Sequence, residues 1–331
     1  VTEAAVRAPA APVWDEAVAL LRNADTVALA CHLGPDGDAL GSLLALAIGL
    51  HGLGKKVVAS WGSDPFRVPA QYAFLPGLDL LSPPDDFPET PKVLVTFDTG
   101  SVDRLGSLGR SVAGAGAVLV VDHHASNTRY GTVNLVDPDA AASVLLVDEL
   151  LRRLDVPLTA DIAACLYTGL TTDTGSFKYQ ATTPAVHGVA ARLLSTGIDH
   201  AGIAREVWDT NRFGYVKLLG RLLDRAELDP ERGLVWSWST QDDFASYGVA
   251  MEDIEGAIDV LRTTVEAEVA VICKETPDGT YAVSTRSKGA TDVGAICVGL
   301  GGGGHRYAAG YTSDADLATT MDRFRAALDA R

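Results

Sequence analysis

Three short apolar runs in this chain each stop on an acidic or imidazole residue. Thr26–Cys31 is followed at once by His32, Val93–Phe97 by Asp98, and residues 117–121 by Asp122, His123 and His124. Runs of five or six residues rich in Val, Leu and Ala, without polar alternation, are those of strands buried on both faces. A further run at 56–60, with Ala/Leu-rich helical stretches between the runs, completes an alternation of strand and helix. That alternation predicts an α/β domain built on a parallel sheet with helices on both faces. Helices are expected at 39–52, 141–154, 160–171, 184–195, 201–209 and 215–227.

Around residues 228–233 the pattern resets. A strand at 234–239, a helix at 251–262 and a hairpin of 267–274 with 280–286 around Asp278-Gly279 are expected. A helix at 292–300 then runs into four glycines, with a strand at 306–312 and a closing helix at 315–330. This predicts a second, smaller α+β domain. The division expected is a first domain at 1–205, a helical linker at 206–232 and a second domain at 233–331.

Composition narrows the partners. The net charge is −16, and residues 233–331 carry 8 Lys and Arg against 15 Asp and Glu. Proteins that follow a nucleic-acid backbone present basic residues to many phosphates, so a long duplex substrate is excluded. Cys31, Cys165, Cys273 and Cys297 form no C-x-x-C pair, which speaks against a zinc ribbon or disulfide scaffold and for a reducing cytoplasm. The apolar runs are too short or too interrupted for a membrane span. The Ala/Pro-rich residues 1–12 lack the apolar core of a signal peptide and read as a frayed leader.

Ligands of open parallel sheets bind outside the carboxyl ends of the strands. His32, Asp98, Asp122, His123 and His124 should therefore meet on one rim, with Asp36 and Asp38 from the turn His-Leu-Gly-Pro-Asp-Gly-Asp. Asp173, after the helix at 160–171, can join them. Oxygen-rich ligation with some imidazole suits Mn2+ or a similar divalent ion better than thiolate-bound zinc. Asp98 has two oxygens and can bridge two ions; such a pair, about 3.5–4 Å apart, acidifies a shared water and clamps the attacking and leaving oxygens of a phosphoryl transfer. Each element has a plainer reading, since an Asp after a strand is often a helix cap and a Pro-Asp-Gly-Asp turn can be only a turn. Their conjunction carries the prediction. Asp38→Ala is expected to abolish turnover and leave the fold intact, as the loss of a ligand from an exposed rim.

Taken in order, His32-x-x-x-Asp36-x-Asp38, Asp98, Asp122-His123-His124 and Asp173 resemble the four motifs of the DHH phosphoesterase superfamily. Gly302-Gly303-Gly304-His305 resembles the signature of the DHHA1 C-terminal domain. The resemblance spans nearly the whole chain. It is nearest in size and pattern to the short oligoribonuclease (nanoRNase) and pAp phosphatase members, including those that degrade cyclic di-AMP. Gly34 stands where many members carry Asn, which touches no proposed ligand. The resemblance implies two Mn2+ per chain, with Co2+ or Mg2+ as substitutes. One would be held by His32, Asp36 and Asp98, the other by Asp38, Asp98, His123 and Asp173. His124 would face the scissile phosphate, and Asp122 would orient an imidazole. A homodimer is implied by relatives alone.

The glycine run at 301–304 is not a dinucleotide fingerprint, because a helix precedes it and a strand follows. It reads instead as a loop whose backbone approaches a phosphate, Gly303 and Gly304 included. His305 and Arg286 would supply charge, and Arg104, six residues after Asp98, either reaches the phosphate as well or simply faces solvent. A cleft between the domains is the expected substrate site. The expected activity is hydrolysis of a cyclic dinucleotide, its linear dinucleotide, short RNA or pAp to mononucleotide. The alternatives are an inorganic pyrophosphatase or exopolyphosphatase on the same metals, and a nucleotide-sensing module without turnover.

Overall fold

Continuous apolar runs need cover on both faces, and the first sheet receives it. The computed structural model describes residues 9, 11–254 and 256–330, so most of the leader expected at 1–12 lies outside the described residues. Two compact units divide the chain, Val1–Thr210 and Asn211–Arg331. In the first, α1 (Ala11–Asn23) leads to β1 (Thr26–Cys31), α2 (Gly37–Gly52), β2 (Lys56–Trp61), β3 (Val93–Phe97), α3 (Arg110–Gly114), β4 (Ala117–Asp122) and β5 (Val133–Val136). Helices α4 (Ser143–Arg153), α5 (Ala160–Asp173), α6 (Pro184–Leu194) and α7 (His200–Trp208) follow.

The five strands are all parallel, in the order β2-β1-β3-β4-β5. Side-chain alternation divides the core. Val27, Leu29, Cys31, Val95, Phe97 and Val121 face the cluster beneath the large helices, while Ala28, Ala30, Leu94, Val118 and Val120 face Phe87, Leu105 and Leu108 on the other side. The strand order reverses at β1, so the edge beyond the carboxyl ends of β1 and β3 is the topological switch point where doubly wound sheets bind ligands. Cys31 pairs with Phe97 and Phe97 with Val121. The residues that follow, His32, Asp98 and Asp122, therefore emerge side by side.

Helix α2 is buried along most of its length, as its nearly all-round apolar sequence requires. It crosses α5 at glycine. A Cβ on Gly41 would lie 2.4 Å from the Cys165 carbonyl oxygen, and one on Gly169 would lie 3.0 Å from Asp38 Cα.

The second unit begins with α8 (Phe213–Asp224), followed by β6 (Glu227–Asp229), β7 (Leu234–Ser239), α9 (Gln241–Tyr247), α10 (Ala257–Leu261), β8 (Val269–Glu275) and β9 (Tyr281–Ser287). Then come α11 (Val293–Gly299), β10 (Gly303–His305), β11 (Ala308–Ser313) and α12 (Leu317–Asp329). The strands form one mixed sheet in the order β10-β11-β9-β8-β7-β6, with β7 and β8 parallel. Tyr215, Leu218 and Leu222 of α8 pack with Val235, Ala270 and Ile272, so this helix belongs to the core of the second unit. The opposite face packs Val271, Cys273 and Val283 against Ile296, Met321 and Phe324.

Candidate metal centre

Each strand end places its polar residue with a specific local device. Asp36 caps α2: its Oδ1 accepts from the amides of Asp38 (3.1 Å) and Ala39 (3.0 Å). The capping reading of this turn thus holds for one oxygen, while Oδ2 lies 3.8 Å from His32 Nε2. His32 Nδ1 donates to the Leu33 carbonyl at 2.8 Å. A carbonyl only accepts, so this bond fixes the proton on Nδ1 and assigns Nε2 to the acidic cluster. Asp98 adopts a left-handed conformation, φ 51°, which non-glycine residues enter at a cost of about 1 kcal/mol or more. Its Oδ2 sits 3.5 Å from His32 Nε2.

The other oxygen of Asp98 faces a second group. Oδ1 lies 3.4 Å from His123 Nε2, which is also 3.0 Å from Asp173 Oδ2 and 3.8 Å from Asp38 Oδ2. His123 Nδ1 donates to the Ala140 carbonyl at 3.0 Å, again leaving Nε2 to the carboxylates. Ligand atoms of His32, Asp36 and Asp98 fall within 4.8 Å of one another, as do those of Asp38, His123 and Asp173. Asp98 lies between the two sets.

Charge makes this cluster unusual. Among the described residues, the ion pairs of Asp36, Asp38, Asp98 and Asp173 all run to histidines, none to Lys or Arg. Burial alone would lower the pKa of His32, but the carboxylates of Asp36 and Asp98 raise it to about 10. His123 is likewise raised by Asp173 and Asp98 against the effect of burial. Burial and the neighbouring acids Asp173 and Asp98 push Asp38 well above the ordinary carboxylate range, and Asp173 rises to about 6 through burial. Burial opposes ionisation of Asp98 too, yet the three imidazoles hold its carboxyl well below that range. Four clustered carboxylates match the charge of two divalent ions, and oxygen ligands with two imidazoles suit hard or borderline metals. The donor set fits the expected metals.

Asp122 and His124 form the third part of the site. Asp122 is fully buried and its Oδ1 accepts from the amides of His123 (2.8 Å) and His124 (3.2 Å) and from His124 Nδ1 (2.7 Å). Asn127 donates to Oδ2. Burial lowers the pKa of His124, but Asp98 and Asp122 together raise it above the usual imidazole value.

Two features of the site were missed in the sequence, and one expectation needs correction. Ser143 Oγ donates to Asp98 Oδ1 at 3.0 Å, and the amides of Ser143 and Val144 donate to Asp38 at 2.6 and 2.9 Å. Asn127 was the second. Asp38 is not on an exposed rim: its exposure is 0%, and it supplies the acceptors for the first turn of α4, whose N-cap Ala142 provides none. Removing it strands two buried amides.

In the second unit, Ala308 pairs with Arg286 and with His305. Arg286 and His305 therefore share one sheet face, two strands apart, roughly 9–10 Å by strand spacing. On β9, β10 and β11 that face carries Ser284, Gly303, Ala308 and Gly310, in register with Ile272 and Ala270. Arg286 Nη1 donates to the Thr285 carbonyl, and its Nε lies 3.7 Å from Asp259. The glycine run has a packing reason of its own. Cβ atoms would meet Gly310 O at 2.1 Å from Gly302 and Ala309 Cα at 2.6 Å from Gly304, and Gly301 has φ 87°. Gly303 alone has open space and no positive φ. Arg104 is exposed, while its carbonyl accepts from the Leu33 amide beside His32.

The DHH family N-terminal domain model matches residues 26–170, and the DHHA1 domain model matches residues 242–331. A bifunctional oligoribonuclease and PAP phosphatase from Thermus thermophilus is 36% identical over 287 residues, covering 86% of this chain and 83% of its own. A cyclic-di-AMP phosphodiesterase from Geobacillus thermodenitrificans is 27% identical, with 93% of this chain matched to 48% of the relative. An exopolyphosphatase-related protein of Bacteroides fragilis shares the fold with a TM-score of 0.86 at 23% identity, over 100% of this chain and 98% of that one.

Proposed function

This chain belongs to the DHH family of metal-dependent phosphoesterases, and we propose that it hydrolyses short nucleotides to mononucleotides. The substrate class is a cyclic or linear dinucleotide, an oligoribonucleotide of a few residues, or pAp. The observation that carries this reading is the position of Asp98, whose two oxygens face two separate groups of side chains that could hold a metal ion. The 36%-identical relative, named for oligoribonuclease and PAP phosphatase activity, supports the same substrate class, as does the DHHA1 match over residues 242–331.

In this mechanism His32, Asp36 and Asp98 would hold one divalent ion, and Asp38, Asp98, His123 and Asp173 would hold the other, with Mn2+ as the proposed metal. Bound there, such ions supply Lewis acidity that polarises the phosphoryl group and lowers the pKa of water. The protein's own groups do the rest. Asp122 holds His124 through Nδ1, leaving Nε2 to exchange a proton with the substrate. Burial lowers the pKa of His124, but Asp98 and Asp122 outweigh this and raise it; in its protonated form the ring would stabilise charge developing on the phosphate and donate to the leaving oxygen. On the second unit, Arg286 and His305 share a face with the small residues Ser284, Gly303, Ala308 and Gly310, which would form a platform for a nucleotide, and the exposed Arg104 would supply a phosphate contact. The relative named for oligoribonuclease and PAP phosphatase activity supports a nucleotide over inorganic polyphosphate.

The test is a substrate panel. Purified protein with Mn2+ should release mononucleotide from at least one of cyclic di-AMP, its linear dinucleotide, short RNA and pAp, and EDTA should stop it. Hydrolysis of pyrophosphate alone, or binding without any product, would replace this proposal with one of the other readings.

A further inference from the structure

We propose that Ser143 is a positioning residue that assigns the two oxygens of Asp98 to different cation sites. The proposal rests on the metal-centre reading above and adds a residue to it. A carboxylate that bridges two ions must present one oxygen to each, yet the terminal torsion of Asp is broad and roughly two-fold. Something has to fix it. Ser143 Oγ donates to Oδ1 at 3.0 Å, 45 residues away in sequence, and this is the oxygen nearer His123. Oδ2 is thereby left toward His32.

The same residue reaches the neighbouring acid. Its amide donates to Asp38 Oδ2 at 2.6 Å, and Val144 donates to Oδ1 at 2.9 Å. These amides belong to the first turn of α4, where no intrahelical acceptor exists. Asp38 and Asp98 Oδ1 both belong to the set around His123, so one helix end ties together two carboxylates of a single site. Ser143 is fully buried and its neighbours are equally enclosed, which makes the bond a fixed part of the centre.

Ser143→Ala removes only the hydroxyl; the amide to Asp38 stays and Ala is a good helix former. Calorimetric titration of Mn2+ into chelator-stripped wild type and variant reads the effect directly. Hydrogen-bonding partners of metal ligands are worth about 10–100-fold in affinity, so one of the two binding steps should weaken by about that factor and the other should hold. The thermal midpoint of the metal-free protein should stay close to wild type, and Ser143→Thr, which keeps a hydroxyl, should recover the weakened step. A wild type that binds no Mn2+ overturns the metal-centre reading itself. A wild type that binds two, with both steps unchanged or equally weakened in Ser143→Ala, overturns this assignment alone. A lowered metal-free midpoint with unaltered binding gives Ser143 a structural role only, and likewise overturns it.

Discussion

Gly41→Ala tests whether helix spacing sets the geometry of the site. Gly41 lies on the buried side of α2, and a Cβ there would sit 2.4 Å from the backbone carbonyl oxygen of Cys165 on α5. Ordinary contact begins near 3.4 Å, so the helices must part by about 1 Å, because backbone cannot swing aside as a side-chain tip can. Asp38 stands in the first turn of α2 and Asp173 at the last residue of α5. Separating the helices therefore moves two proposed ligands of one site apart by a similar distance. A misplacement of about 1 Å costs on the order of 100-fold in rate, while overpacking of this kind costs about 1–3 kcal/mol in stability. For a unit of this size that is roughly 2–4 °C of Tm per kcal/mol. The assay pairs kcat at saturating Mn2+ with thermal unfolding of the same sample. A folded variant that keeps kcat within about two-fold of wild type would refute the reasoning.

Other expected outcomes follow from single contacts. Gly188→Ala, on the exposed side of α6 with open space around the new methyl, should stabilise by about 0.5–1 kcal/mol in thermal unfolding, with activity unchanged. His305→Ala should raise KM and leave kcat within a few-fold; steady-state kinetics on the preferred substrate would contradict the platform if neither moved. Arg225→Met should cost about 1.5–3 kcal/mol, because Arg225 pairs with Asp243 at 2.6 and 3.2 Å. Burial works against ionised Asp243, but Arg225 and Thr240 hold its carboxyl below the usual range. Its contribution is thus complete above the unfolded value near 3.8 and is lost as pH falls through the lower folded value. Unfolding midpoints of wild type and Arg225→Met should accordingly converge at low pH; a constant gap there would contradict this.

What could be read in the sequence depended on how local the cause was. Strands β1, β3 and β4 were legible because burial on both faces leaves unbroken apolar runs, and the ligands His32, Asp98 and His123 because they directly follow those runs. Strand β5 was missed: its four residues include the polar Asn134, which turns back to bond Gly131. The helix expected over 251–262 is broken, with a 3-10 turn at Met251–Ile254 and α10 beginning only after Gly256. The following α10 runs from Ala257 to Leu261. Helix α9 was hidden because its capping box, Thr240 with Asp243, opens only seven residues with a single large apolar anchor, Phe244. In the glycine run, the sequence suggested a ligand, whereas close approach of β10 and β11 accounts for Gly302 and Gly304. Ser143 left no local trace at all. Its partners are 45 and 105 residues distant, and only the folded topology brings them to it.

The acids of the centre differ in what holds them, and that separates fold from chemistry. Asp36 is tied by the amides of Asp38 and Ala39, Asp122 by those of His123 and His124, and Asp38 by those of Ser143 and Val144. Backbone donors fix these carboxylates before any cation arrives, which is preorganisation supplied by helix and strand ends. Asp98 and Asp173 take no backbone amide among the described residues: Asp98 accepts from Ser143 Oγ, whereas the side chain of Asp173 is 17% exposed and has His123 Nε2 at 3.0 Å. Asp38→Ala must therefore lose both turnover and about 1–2 kcal/mol of metal-free stability, as for a removed helix cap. Asp173→Ala should lose turnover to a similar extent while the metal-free protein unfolds at nearly the wild-type midpoint, since the buried amides keep their acceptors. Unfolding in EDTA beside kcat in Mn2+ measures the contrast. Equal midpoints for the two variants would mean that Asp38 does not cap α4 in solution.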